Sequence, residues 1–346
     1  MLRGRRWAVA CCLFAWCGQA AMAAESDSAL PAKQKDVSED VAADWLTRMS
    51  ESARQANYQG VVVYRSGEVL ESLHVVHGFD GGTVRERLVS MSGEPREILR
   101  EDDEVTCILP REKKITVDFR SKATGLFPSL PRETINQLRA YYEFNVIGRM
   151  RIADHQCRGV RIQPKDAYRY GYEFWVDETT GVPLKLSLLD EDGRVLEQLM
   201  FTEVTFPKTI AAEDFQTTQD LSGFQKVTQR VSAKPPSAVA AWIVDQVPPG
   251  FRLMTRDLRQ MRGDNDVVEH LLFSDGLSAV SIYAAVTSSA DGKAFEGVSH
   301  MGAVNAFGRM LGTHHLTVVG EVPQATVEMI GGAVRAAPPD TQTASP

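Results

Sequence analysis

The sequence predicts an α+β protein: a large half-closed antiparallel β-barrel with helices over its concave face, then a smaller, mostly β unit closed by a helix. Three observations predict it. From Val61 to Phe206, strand-like runs are separated by turn residues at Ser66-Gly67, Asp80-Gly81-Gly82, Ser92-Gly93-Glu94-Pro95, Asp102-Asp103 and Asp190-Glu191-Asp192-Gly193. Connections this short join antiparallel neighbours, so the sheet should run as a long up-and-down meander. Helical patterns precede this region, interrupt it midway and close the chain.

The first residues read as an export signal. Arg3, Arg5 and Arg6 form a basic start, Trp7 to Trp16 is apolar, and Ala21-Met22-Ala23 is a small-x-small site that places cleavage between Ala23 and Ala24. The apolar run is too short to span a bilayer. A lipid-modified cysteine needs small residues before it, and Trp16 in front of Cys17 argues against that alternative. The expected mature protein is therefore soluble and periplasmic. Of the 346 residues, 38 are basic and 45 acidic; loss of the three signal arginines leaves 35 basic side chains and a net charge of −10. That balance argues against a nucleic-acid partner, which requires a basic footprint.

Residues 24–36 are polar and read as a loose tail. A helix then begins with Ser38 as N-cap, carries Val41, Trp45, Met49, Ala53 and Ala56 on one face, and stops at Gly60. Strands follow. Ser121 to Pro131 reads as an apolar-tipped loop, and Arg132 to Phe144 as a second helix. A curved sheet with helices over its hollow face encloses an apolar interior suited to a lipid. The division expected is a large unit over 37–215, a linker over 216–236 that includes Val231 to Pro236, a small unit over 237–335 and a tail over 336–346. The closing helix has Pro323 near its first turn and Val327, Ile330 and Val334 on one face.

No catalytic, metal or cofactor motif emerges. There is no G-x-S-x-G elbow, no H-E-x-x-H and no phosphate-cradling glycine loop. His314 and His315 are adjacent, so on a strand they leave by opposite faces. Asp190 to Asp192, and Asp264 with Asp266, lack the ligand spacing of a calcium loop and read as solvated charges. The alternating aromatics Tyr168, Tyr170, Tyr172 and Phe174 fit one packed face of a barrel strand, or a ligand wall. Only Cys107 and Cys157 survive export; their even count permits a disulfide, while their strand faces favour two separate half-buried thiols.

Several stretches resemble the MucB/RseB family: Cys157 to Asp166 (CRGVRIQPKD), Tyr168 to Asp177 (YRYGYEFWVD), Thr180 to Lys185 (TGVPLK), Val247 to Phe251 (VPPGF), Glu269 to Leu277 (EHLLFSDGL) and Thr317 to Pro323 (TVVGEVP). They fall in both halves and in order. The resemblance implies a periplasmic negative regulator of the sigma-E (AlgU) envelope-stress response, with a large domain similar to the lipoprotein carriers LolA and LolB. It implies binding to the periplasmic part of a membrane-spanning anti-sigma factor of RseA or MucA type, protection of that partner from regulated proteolysis, and release by lipopolysaccharide-type or other acyl lipid. The small domain would make much of the partner contact. On this reading Leu126, Phe127 and Leu130 border the lipid entrance, Trp45 lines the interior, and Tyr170 and Tyr172 are candidate lipid contacts. A LolA-type lipid carrier is the alternative, and a periplasmic hydrolase has no motif behind it. Homo-oligomerisation is left open.

Overall fold

The computed structural model describes residues 32–119, 125–229, 242–260, 267–286 and 295–338. The export signal with its Ala23–Ala24 site, Asp264 and Asp266, and Val231 to Pro236 lie outside the described residues. Among the described residues, no helix is long and apolar enough to cross a membrane.

Two antiparallel meanders build the large sheet. The first contains β1 (Tyr58–Ser66), β2 (Val69–Asp80), β3 (Thr83–Ser90), β4 (Glu97–Glu101), β5 (Glu104–Leu109) and β6 (Lys114–Phe119). The second contains β7 (Tyr142–Ile152), β8 (His155–Pro164), β9 (Gly171–Asp177), β10 (Pro183–Leu189) and β11 (Val195–Thr205). Each turn signal read from the sequence in these strands falls between consecutive strands. The meanders join where β1 pairs with β11, and a twelfth strand, β12 (Gln225–Gln229), runs parallel to β6 at one edge. With β12 at one edge and β7 at the other, the sheet does not close.

Gly60 shows why β1 and β11 fit together. It does not stop the first helix, which ends at Gln55, but lies inside β1, one residue before a register shift. A Cβ there would sit 2.0 Å from the Glu203 carbonyl oxygen, so only glycine permits the approach of the two backbones.

Helix α1 (Ala32–Gln55) covers one face of the sheet and packs on β7, β8 and β2. It starts before Ser38, so the expected tail is helical from Ala32 and Ser38 is an interior residue. The run Ala32-Lys-Gln-Lys is made of strong helix formers, which favour extending the helix ahead of Ser38. Its buried stripe also differs from the expected one. Ala42, Ala43, Leu46 and Met49 are fully buried, whereas Val41 is 45% exposed. Two small alanines let the helix approach the sheet closely; the larger Val41 was a misleading marker. Burying Leu46 and Met49 stabilises this contact by about 1.5–3 kcal/mol each.

The second helix, α2 (Arg132–Leu138), is half the expected length. The β-preferring Tyr142 and Phe144 belong to β7 instead. Residues 216–236 are not all linker, since β12 completes the large sheet.

The small unit has a six-stranded antiparallel sheet of β14 (Arg252–Gln260), β15 (Val267–Ser274), β16 (Ala279–Val286), β17 (Gly297–Met301), β18 (Val304–Leu311) and β19 (His314–Gly320). Their spatial order is β14-β15-β16-β19-β18-β17. A short pair, β13 (Trp242–Val244) and β20 (Val334–Ala336), lies beside it. Helix α3 (Gln324–Ala333) packs on β18 and β19, with Pro323 at its N-cap. Val327 and Ile330 face the core with Phe251, Phe273 and Val318. Val334 is also buried, but its backbone is extended and begins β20.

Candidate functional site

Two apolar clusters pack within the large unit. One contains Leu46, Met49, Ile135, Phe144, Tyr170 and Tyr172; the other contains Tyr58, Val62, Phe127, Leu184 and Phe201. Side chains from α1, α2 and residues 126–130 fill the space between these helices and the sheet. The expected unfilled interior is therefore occupied by the protein's own groups in this conformation.

The candidate lipid residues all reach these clusters, though by different routes. Trp45 is half-buried against the first cluster, with the Arg48 guanidinium 5.1 Å from its ring centroid. Tyr170 and Tyr172 belong to that cluster, and the Tyr172 ring stacks on Phe174 at 6.2 Å. Leu126 is partly buried beside the second cluster, and Phe127 lies in it, 6.5 Å from the Phe201 ring. Leu130 is fully buried in the first. The expected exposed tip is instead folded inward, because its apolar side chains gain more from the core than from water. The Leu130 amide donates to Ser50 Oγ at 2.7 Å, which ties the segment to α1.

The other end of this segment rests on a buried polar node. A Cβ at Gly125 would lie 2.6 Å from Glu86 Oε1 and 3.0 Å from Arg100 Nη1, and these two side chains are paired at 2.9 Å. His77 stands beside them, with Nε2 3.7 Å from Glu86 and its ring stacked on Tyr58 at 4.5 Å. Its Nδ1 donates to the Ala56 carbonyl at 2.9 Å, which fixes the tautomer. Burial lowers the His77 pKa from its ordinary value; Glu86 opposes that shift and Arg100 adds to it. The folded state thus resists protonation while the unfolded chain accepts it. Stability should fall as pH drops below the ordinary histidine range, about 6.5. His77→Gln should flatten the acid side of the curve, as read from urea midpoints between about pH 7.5 and 5; an unchanged slope would show that other groups set it.

A second polar cluster joins the two units, and sequence reasoning did not find it. The side chain of Arg169 is fully buried. Its guanidinium carbon lies 4.9 Å from the ring of Tyr141, 5.4 Å from Tyr142 and 5.2 Å from Phe251. Asp275, also fully buried, approaches at 3.4 Å and Asp166 at 3.3 Å, while Nη2 donates to the Pro249 carbonyl. Tyr142 donates its hydroxyl proton to Asp275 at 2.9 Å. On either side of Arg169, the Tyr168 carbonyl accepts from Thr326 Oγ1 at 2.6 Å and the Tyr170 hydroxyl accepts from Asn305 at 3.0 Å. The available signal was one arginine inside an aromatic run, which a barrel strand alone does not require.

The remaining candidates separate. Cys107 and Cys157 form no bond to each other; they lie on β5 and β8, with seven strands between them in the sheet order. Burial, with Asp177 and Glu178 nearby, pushes the Cys157 thiol up to about 12, so it is a poor nucleophile. His314 packs edge-on against Trp242 at 5.0 Å, while His315 hydrogen-bonds the Phe295 carbonyl at 2.5 Å. A cleft of about 490 Å³ at the β8–β9 and β10–β11 turns is lined largely by polar residues such as Arg161, Lys165, Asp166 and Asp190, unlike the apolar interior.

Comparison with known proteins agrees with this architecture. The MucB/RseB N-terminal domain profile matches residues 41–219, and the MucB/RseB C-terminal domain profile matches residues 236–335. The Sigma factor AlgU regulatory protein MucB of Pseudomonas aeruginosa is 30% identical over 85% of this chain and 90% of its own. The Sigma-E factor regulatory protein RseB of Escherichia coli K12 is 28% identical over 84% and 89%. The structure of the Pseudomonas aeruginosa MucA/MucB complex matches with a TM-score of 0.68 and 28% identity, covering 86% of this chain and 99% of that one. A crystal structure of MucB matches at 0.60 and 26% identity, over 86% and 98%. With both halves matched in order and the fold shared along their length, the chain belongs to the MucB/RseB family.

Proposed function

We propose that this chain is a periplasmic regulator of a sigma-E (AlgU) type envelope-stress response. It binds the periplasmic region of a membrane-spanning anti-sigma factor of RseA or MucA type, shields it from regulated proteolysis, and lets it go on binding envelope lipid. The observation that carries this reading is the match of both units to MucB in a structure solved with MucA. In this proposal the large unit runs from α1 through β12, the small unit spans about 237–335 and makes most of the partner contact, and Ala23–Ala24 is the export cleavage site.

The interior supports the lipid half of the proposal. Trp45, Leu130, Tyr170 and Tyr172 belong to or pack on one apolar cluster and Leu126 and Phe127 on the other, so an acyl chain entering there displaces side chains rather than water. Because those clusters are already packed, lipid binding and conformational change are coupled: the lipid favours whichever state opens the interior. A carrier of LolA type would use the same sheet but gives no role to the small unit.

Binding of the periplasmic anti-sigma segment to the full chain and to the large unit alone separates these contributions. The large unit alone should bind at least tenfold more weakly. Equal affinity would place the partner on the large sheet and overturn the division. Capture of mature lipoproteins in place of an anti-sigma factor from a periplasmic extract would favour the carrier.

A further inference from the structure

Two small-unit residues sit inside the core of the large one. Ala303, fully buried, is part of the same cluster as Leu46, Met49 and Tyr170, and Leu277 packs against it. Both project from turns that touch the large unit directly. The turn before Ala303 brings Gly302 against Ser66, and at the turn before Leu277 a Cβ built on Gly276 would lie 3.0 Å from the Thr134 methyl group. The cluster therefore has one end finished by a body that a separate stretch of chain supplies.

We propose that the small unit is the stopper of the large unit's apolar interior, and that Tyr168-Arg169-Tyr170 is the latch that seats it. Three consecutive residues grip four parts of the small unit: Tyr168 meets α3 through Thr326, Arg169 meets the Pro249 and Asp275 loops, and Tyr170 meets β18 through Asn305. Tyr170 serves both sides, because its ring is part of the interior cluster while its hydroxyl holds Asn305. Displacing that ring by an apolar chain breaks an interdomain hydrogen bond in the same motion. Conversely, unseating the small unit withdraws Ala303 and Leu277 and opens the interior to apolar molecules.

The latch is poised rather than tight. Arg169 Nε and Nη1 are buried without a well-formed hydrogen bond, although two carboxylates lie near them. A desolvated cation with imperfect bonds holds less firmly than its number of neighbours suggests. Filling the interior and undocking the small unit are thus one event, which deepens the lipid-release reading by naming what moves. This inference rests on the interior accepting an apolar chain.

A reversible clamp tests it in the full chain. A Cβ built on Gly302 lies 4.0 Å from Ser66 Cβ, within the spacing a disulfide spans, so Ser66→Cys with Gly302→Cys should link the units on oxidation. Gly302 has φ of +59°, and the reduced form of the same protein controls for any strain there. The probe is N-phenyl-1-naphthylamine, an uncharged apolar fluorophore. The oxidised clamp should take up at least tenfold less than its reduced form. Arg169→Met, which keeps side-chain length but removes the charge, should take up more than the wild type and show a larger radius of gyration by small-angle scattering. Equal uptake by oxidised and reduced clamp would overturn the stopper, as would an Arg169→Met protein that opens without added uptake. If the clamp blocks uptake yet lipid never loosens the anti-sigma segment, the functional reading falls and the stopper stands.

Discussion

Leu130→Ala should lower the stability of the full chain by about 2–5 kcal/mol, and Phe127→Ala by about 3–5 kcal/mol, measured as shifts in urea midpoint at constant slope. Leu130 is fully buried beside Ile135 and Leu138, and Phe127 packs on Phe201 in the second cluster. Each truncation removes transfer free energy and leaves a cavity where helix, sheet and connecting segment meet. A loss below about 0.5 kcal/mol would mean the segment lies outside the core in solution. The same burial dictates how lipid binding must be probed. A polar group at either position confounds loss of lipid with loss of fold. Phe127→Leu, at about 1.5 kcal/mol or less, keeps the fold and should weaken acyl-lipid binding in titration; unchanged affinity would remove Phe127 from the proposed site.

Glu97→Ala should cost about 3–5 kcal/mol, because it breaks a buried charge pair from one side. Glu97 is fully buried on β4. It accepts from Arg87 Nε at 2.6 Å, Thr217 Oγ1 at 2.6 Å and Gln219 Nε2 at 3.4 Å. The Arg87 side chain, 15% exposed, would lose its charged partner, and the chain leading to β12 would lose its anchor. Glu97→Gln keeps the acceptor but not the charge, so it should fall between the two. A Glu97→Ala protein as stable as the parent would show that solvent reaches this node freely.

What the sequence revealed depended on how local the determinant was. The meander was legible because its turns are written in adjacent residues, such as Asp80-Gly81-Gly82 between β2 and β3. The pairing of β1 with β11 was not, because it brings Gly60 to Glu203 across the whole unit. Helix α1 was found but misphased: hydrophobicity favoured Val41, while packing favoured the smaller Ala42. The 126–130 segment looked like an exposed loop because composition does not say which way an apolar side chain turns. For the site, the candidate aromatics could be named from their alternation. The role of Arg169 could not, since its partners Pro249, Phe251 and Asp275 come from the other half of the chain.

In the proposed function, one protein holds an anti-sigma segment and yields it to lipid. The most direct measurement is proteolysis of the periplasmic anti-sigma segment in the presence of the full chain, with and without an acyl lipid. The chain should protect the segment, and saturating lipid should restore cleavage to the rate seen without the chain. A lipid that loosens the grip tenfold favours the released state by about 1.4 kcal/mol. Protection that persists at saturating lipid, with lipid shown to be bound, would contradict the account.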